Sequence, residues 1–272
     1  MKLEVLISAM HLRDFSIVEK SNVKSDVLII NQTNHDGYDE CVINGHRARM
    51  ISTTQRGLSC SRNMALIHAN GDICLIADDD EVFDDDYENT ILKAFERLSD
   101  ATIIAFNVKC SSKSRDINSN SIGKERRTLF YKTYPSVALA FRRENIIKFK
   151  VYFDVRLGAG SGVISAGEET EWQFYAQNKG LKRYECPGVI STLRLSTSQW
   201  FKGYNQRFFY DIGANLAINY PCLKHILKFY YLWRLRNECE LSFCKKIQCM
   251  NMGMKGFRQG CSYVDFINSK HP

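Results

Sequence analysis

The sequence predicts an α/β protein: a mostly parallel β-sheet flanked by helices over residues 1–220, then a basic helical extension over residues 221–272. Three observations predict it. Runs of consecutive apolar residues recur at strand length and stop at polar turn residues, the pattern of strands buried on both faces. Segments of helix length separate these runs with short connections, which is how parallel strands are joined. Residues 225–234 mix aromatic and basic side chains at helical spacing.

The elements follow in order. Residues 3–8 form the first strand; the run is short, is interrupted by Glu4 and lacks a cleavage site, so it does not read as a signal peptide. A short polar–apolar segment covers residues 11–21. Asp26-Val27-Leu28-Ile29-Ile30 is a buried strand that stops at Asn31-Gln32-Thr33-Asn34. Asn44-Gly45 is a hairpin-type turn, and residues 48–52 are a short strand. Ser59 is placed as the N-cap of a helix reaching residue 69 and closed by Asn70-Gly71. Residues 73–77 are the next buried strand. A helix opens at Asp84 or Asp85 and runs through Leu98, and residues 101–108 are a further strand. Residues 111–127 are polar and charged, an exposed loop. Gly158-Ala159-Gly160-Ser161-Gly162 does not complete a dinucleotide-binding GxGxxG and reads as a flexible loop. A helix from Gly167-Glu168-Glu169 to Lys179-Gly180 and a strand at residues 181–186 complete the body.

Composition narrows the function classes. Hydrophobic residues are 44% of the 272, enough for a packed core, and the four prolines form no linker. No run approaches the roughly 18–20 apolar residues of a membrane-spanning helix. The ten cysteines contain no CxxC pair, and Cys239, Cys244 and Cys249 repeat at a spacing of five that does not share a helix face. Reduced thiols used as small hydrophobes are expected, not zinc or disulfides. The net charge of +7 is uneven: residues 221–272 carry nine Lys/Arg against Glu238, Glu240 and Asp265, a balance of +6. Such asymmetry calls for an acidic partner. No nucleic-acid-binding motif is present, so an anionic membrane surface is the expected partner, with an ordinary packed C-terminal helix as the alternative. The expected location is cytoplasmic, peripheral on the inner face of the cell membrane.

The chemistry-bearing feature is Asp78-Asp79-Asp80-Glu81 at the end of a buried strand. Ligands of open α/β sheets bind at the carboxyl ends of strands. Alternation along extended chain would place Asp78 and Asp80 on one side. Carboxylates packed this closely repel one another, and a divalent cation, Mn²⁺ or Mg²⁺, neutralises them economically. Nucleotide-sugar transfer uses such a metal to neutralise a diphosphate leaving group. Asp78-x-Asp80-x-Val82 also satisfies the DxDx[TV] pattern of haloacid-dehalogenase-like phosphatases, although two strands and a helix precede it and no late GDxxxD follows. A non-catalytic carbohydrate-binding protein is a third possibility.

Taken together, Arg56-Gly57-Leu58-Ser59-Cys60-Ser61-Arg62-Asn63, the Ile73 to Asp80 strand end and Gly167-Glu168-Glu169 resemble family 2 glycosyltransferases of the GT-A fold, particularly bacterial enzymes of surface polysaccharide synthesis. The resemblance covers residues 1–210 and implies roles. Asp78 would contact the nucleotide, Asp80 would ligate the metal with Asp78, and Asp79 would assist. Arg56 and Arg62 lie where the family contacts base or diphosphate, and Ser8 and Asn31 where the base packs. Inverting transfer needs a base for the acceptor hydroxyl. The resemblance gives that role to Glu169, one methylene longer than the family's usual Asp; capping of the helix N-terminus by both acids is the alternative. Glu171 and Trp172 could face a sugar, or Trp172 the core. The reaction implied is transfer of a sugar from a UDP-linked donor to a glycan or lipid-linked saccharide acceptor.

Overall fold

The computed structural model describes residues 1–110, 121–194 and 203–268. The apolar runs form the centre of the sheet. β1 (Leu3–Met10), β2 (Asp26–Gln32) and β5 (Ile73–Asp78) are covered on both faces, which is why their sequences do not alternate. A short helix, α1 (Ser16–Lys20), joins β1 to β2. β3 (Gly37–Ile43) and β4 (His46–Thr53) make a hairpin through Asn44-Gly45, whose φ values of 51° and 83° are those a tight hairpin turn requires. β3 has no apolar run because it is the exposed sheet edge, where Asp39 and Glu40 discourage pairing with other chains.

α2 (Leu58–His68), β6 (Glu81–Phe83), α3 (Tyr87–Arg97), β7 (Ile103–Cys110), β8 (Arg126–Arg127), β9 (Leu139–Arg142), α4 (Arg143–Lys148), α5 (Glu168–Asn178) and β10 (Arg183–Leu193) complete the body. The sheet runs β3-β4-β2-β1-β5-β9-β7-β10-β6, with β8 on β10. Pairing is parallel across β4-β2-β1-β5 and between β7 and β10. β9 enters antiparallel between β5 and β7, so the sheet as a whole is mixed.

Several local expectations need correcting. α2 begins two residues early, at Leu58 with Gly57 as N-cap; Ser59 lies inside the helix and donates its hydroxyl to the Leu157 carbonyl. α3 begins at Tyr87, because Asp84 is tied to β10 through its backbone and the Asp85 carboxylate accepts from Asn22 and Lys24. The strand expected to end at Cys186 continues to Leu193 across an irregularity in its pairing with β7. Of the loop expected over 111–127, residues 111–120 lie outside the described residues. Ile122 is buried and Arg126–Arg127 pairs with β10, so the remainder is not a free loop.

The C-terminal helices are α6 (Gln206–Asn219), α7 (Lys224–Arg234), α8 (Phe243–Arg258) and α9 (Tyr263–Asn268). α6 precedes the division placed after residue 220, yet it shares one core with α7 and α8: Phe209, Leu216, Leu232, Cys249, Met250 and Met254. α6 and α8 cross at glycines. A Cβ on Gly213 would sit 2.0 Å from the Met250 carbonyl oxygen, and one on Gly253 would sit 1.9 Å from that of Tyr210. Two tail lysines point inward. Lys228 Nζ donates to Asn251 Oδ1 (3.0 Å), and Lys246 Nζ caps the end of α7 at the carbonyls of Leu235 (3.0 Å) and Arg236 (3.2 Å).

Candidate active site

β1 lies between β2 and β5, so the chain moves to one side of β1 and later returns on the other. That is the switch point where open α/β sheets bind ligands. There the register sets Ser8 directly beside Asp78. The buried face of α2 brings Ser61 and Arg62 onto them, and Ser61 Oγ donates to Ser8 Oγ at 2.8 Å.

Arg62 is the hub. Its guanidinium donates to Asp78 Oδ1 (3.2 Å), Ser136 Oγ (2.7 Å) and Glu168 Oε1 (3.0 Å), and lies 5.6 Å from the centre of the Phe153 ring. The side chain is only 3% exposed, and a cation so placed persists only if its charge is compensated. Burial works against its charge, but the carboxylates of Asp78, Glu168 and Glu169 outweigh that and raise its pKa. One side chain thus ties the end of β5 to the start of α5.

Asp78 closes β5, whereas Asp79 and Asp80 form the turn before β6. The chain therefore bends between Asp78 and Asp80, and strand alternation does not place them on one face. Burial, then the charge of Asp78, raises the pKa of Asp79; burial, then Asp78 and Asp79, raises that of Asp80. Among the described residues neither pairs with a cation. Glu81, the fourth acid in the run, turns away into the core. It accepts a hydrogen bond from the Ser191 hydroxyl, and burial pushes its pKa well up.

Among the described residues, no group of three or more His, Cys, Asp or Glu side chains gathers as a metal cage. The donor set still fits a hard cation. Asp80, with Asp78 on its open side, can supply one or two carboxylate oxygens, which is what Mg²⁺-type ions take from protein when phosphates and water complete the shell.

Glu169 stands on the first turn of α5, partly exposed. Burial, followed by the charge of Glu168 and a hydrogen bond with it, pushes its pKa up to about 8. The segment before α5 is fixed by α6. Asp211 accepts from the Ser165 amide (3.2 Å) and hydroxyl, and Asn215 Nδ2 donates to the Ala166 carbonyl (3.1 Å). Gly167 has φ 96°, a backbone conformation that favours glycine, and a Cβ there would also displace the Asn215 side-chain amide, 1.9 Å away. Glu171, one turn on, is pushed up to about 7 by burial and by Asp154.

The remaining expected residues divide. Asn31 is buried and spends its amide on Leu12, accepting from its N–H (2.9 Å) and donating to its carbonyl (3.0 Å). Its Nδ2 also lies within reach of Met50 Sδ (3.6 Å) and Ser52 Oγ (3.4 Å). Arg56 is exposed and curls onto its own loop, donating to the carbonyls of Thr53, Thr54 and Gln55 and to Asn34 Oδ1, apart from the Arg62 cluster. Trp172 is core: it stacks on Phe153 at 5.1 Å and donates to the Val151 carbonyl. The glycine-rich stretch is not a free loop, since its Ala159 carbonyl accepts from the Leu58 amide at 2.8 Å. Sequence reasoning missed Ser61, Ser136 and Gln32; Gln32 Oε1 accepts from the Gly57 amide (2.9 Å) and so fixes the start of α2. Lone Ser and Gln residues carry no pattern that would have revealed them.

Residues 16–155 match the model of glycosyl transferase family 2. The chain belongs to that family. Membership sets aside the phosphatase reading of Asp78-x-Asp80-x-Val82. The matched segment contains Arg62 and the aspartate triplet, and it ends before Glu168-Glu169. No curated protein sequence matches this family 2 chain. Solved structures do. It resembles TarS of S. aureus, residues 1–349, with TM-score 0.60 and 12% identity over 97% of this chain and 93% of that one. The complex of the same segment with UDP-GlcNAc gives TM-score 0.57 and 13% identity over 100% and 76%. The complex with UDP gives 0.57 and 12% over 97% and 93%. At such identities the likeness shows the fold, a mixed sheet with flanking helices of GT-A type.

Proposed function

We propose that the chain transfers a sugar from a nucleotide diphosphate donor, UDP-linked, to a hydroxyl of a glycan or lipid-linked saccharide with inversion, in bacterial surface polysaccharide synthesis. The observation that carries this reading is the Arg62 bridge, which holds the Asp78 strand end and the Glu168-Glu169 helix start in one cluster. In that arrangement Ser8 and the β1–β5 crevice receive the nucleotide, and Asn31 shapes its wall through Leu12. Asp80, with Asp78, would hold Mn²⁺ or Mg²⁺ against the diphosphate, where the ion would neutralise the departing UDP. Glu169 takes the acceptor proton as the acceptor oxygen bonds to the anomeric carbon and the bond from that carbon to phosphate breaks. Arg62 holds Asp78 and Glu168 in register. Arg56, exposed on its loop, is available to the base or diphosphate only after leaving its carbonyl partners.

The wider placement we propose is peripheral, at the inner face of the cell membrane. Among the described residues no helix is long and apolar enough to cross a membrane.

The test is thermal unfolding with a panel of nucleotide sugars, with and without Mn²⁺, followed by assay of nucleotide release. Stabilisation by a UDP-sugar that requires Mn²⁺ and is lost in Asp80→Asn is expected. Binding without release in the presence of any saccharide acceptor would favour a carbohydrate-binding protein, and no stabilisation by any nucleotide would refute the reading.

A further inference from the structure

α7 is two-faced. Lys228 and Leu232 point into the core shared with α6 and α8, and Leu235 just beyond the helix joins them. The opposite side is apolar and bare: Ile226 is 68% exposed, Phe229 55% and Trp233 64%, with Leu223 and Tyr230 beside them about half exposed. At 100° per residue these five side chains fall within an arc of about 120°, one continuous stripe along the helix. Along the helix itself the charge beside the stripe has a single sign, and the exposed acids Glu238 and Glu240 lie in the segment beyond its end. From residue 221 to 237 there is no Asp or Glu, and α8 has none either. Arg234 and Arg236 are exposed at the end of the stripe, and the Arg236 guanidinium lies 5.1 Å from the centre of the Trp233 ring. Lys228 and Lys246 are turned inward onto neutral partners, Asn251 and the Leu235 carbonyl, and are not part of this exposed rim.

We propose that this face of α7 is a membrane-docking surface, lying in the headgroup layer of an anionic phospholipid bilayer with Ile226, Phe229 and Trp233 inserted. A helix in a bilayer interface presents an apolar stripe carrying aromatic residues, flanked by Lys or Arg that meet lipid phosphate. A protein partner would need acidic residues around an apolar groove, and a second copy of this chain would set the same basic rim against itself. Lipid satisfies both the stripe and its rim. The inference makes specific the membrane-surface placement proposed above, and its test requires no nucleotide, so it can fail while the transferase reading stands.

The test is flotation of the full chain with vesicles of phosphatidylcholine alone and of phosphatidylcholine mixed with phosphatidylglycerol. Binding to the anionic vesicles that weakens as salt rises is expected. The variant Ile226→Ser, Phe229→Ser, Trp233→Ser removes only exposed side chains and is expected to bind at least about tenfold more weakly. Should that variant fold poorly, brominated lipid decides on the unaltered chain: Trp233 fluorescence is expected to be quenched, and the quenched component to vanish in Trp233→Phe while flotation persists. Flotation without quenching of Trp233, or equal binding by the triple variant, overturns the proposal. So does a dimer, seen by light scattering, that the triple variant dissociates while the wild type ignores vesicles.

Discussion

Replacing Glu168 by Gln keeps the shape of the side chain and an acceptor for Arg62, but removes one negative charge beside Glu169. In the wild-type protein Glu169 is pushed up to about 8, with burial as the largest cause and Glu168 next. At pH 7 only about a tenth of the molecules then hold Glu169 as the base, and nucleotide release should climb about tenfold per pH unit until it levels near pH 8. Two carboxylates about 4 Å apart repel by about 1 kcal/mol under full solvent screening and about 4 kcal/mol at a partly screened site. Loss of the Glu168 charge should accordingly lower the limb by about one to two pH units and raise kcat/KM at pH 7 by about five- to tenfold. The assay is UDP release at subsaturating donor between about pH 6 and pH 9, wild type beside Glu168→Gln. An ascending limb that stays in place in the variant, or a wild-type profile without one, would refute the reasoning.

Three further outcomes follow from the same contacts. Glu169→Gln should abolish turnover with donor binding retained. Because the folded state favours the protonated acid, the stability that Glu169 permits is complete below about pH 4.5 and is lost as pH rises through about 8. The variant should therefore unfold at a higher temperature than wild type above pH 8 and match it in acid. Arg62→Ala leaves Asp78 and Glu168 without their buried cation and should cost about 3–5 kcal/mol by urea unfolding, with Arg62→Lys recovering part. Gly253→Ala sets a methyl 1.9 Å from the Tyr210 carbonyl and should destabilise the chain by about 1–3 kcal/mol, a cost read from the denaturant midpoint.

The legible parts of the sequence were those with a strong local cause. The apolar runs in β1, broken only by Glu4, and in β2 and β5 have the length and composition of buried strands, so the centre of the sheet and the position of Asp78 at the end of a strand followed directly. β3 escaped notice because an exposed edge strand needs no apolar pattern, and β9 because antiparallel insertion between β5 and β7 is a tertiary event. At the site, the acids and Arg62 stood out by type and placement. Their wiring did not: nothing local says that Arg62 reaches Glu168 across 106 residues, or that Asn31 turns to Leu12. Ser59 shows the limit of capping rules, since a good N-cap residue one position inside the helix found its partner in Leu157 instead.

The two halves of the cluster have different origins in the chain. Ser8 on β1, Arg62 on α2 and the Asp78–Asp80 turn are built by the central sheet and its first helices, the part largely covered by the family 2 match. Glu168 and Glu169 are held from outside it. Their approach segment hangs on Asp211 and Asn215 of α6, and α6 is locked to α8 at the Gly213 and Gly253 crossings. A shift of α6 would move Ser165 and Ala166 with it, because Asp211 and Asn215 hydrogen-bond them directly. Arg62 must accommodate any such shift, since among the described residues it alone bonds directly to both Asp78 and Glu168. The geometry between the aspartate turn and Glu169 is consequently set by how the C-terminal helices pack, and the bare face of α7 belongs to that same packed unit.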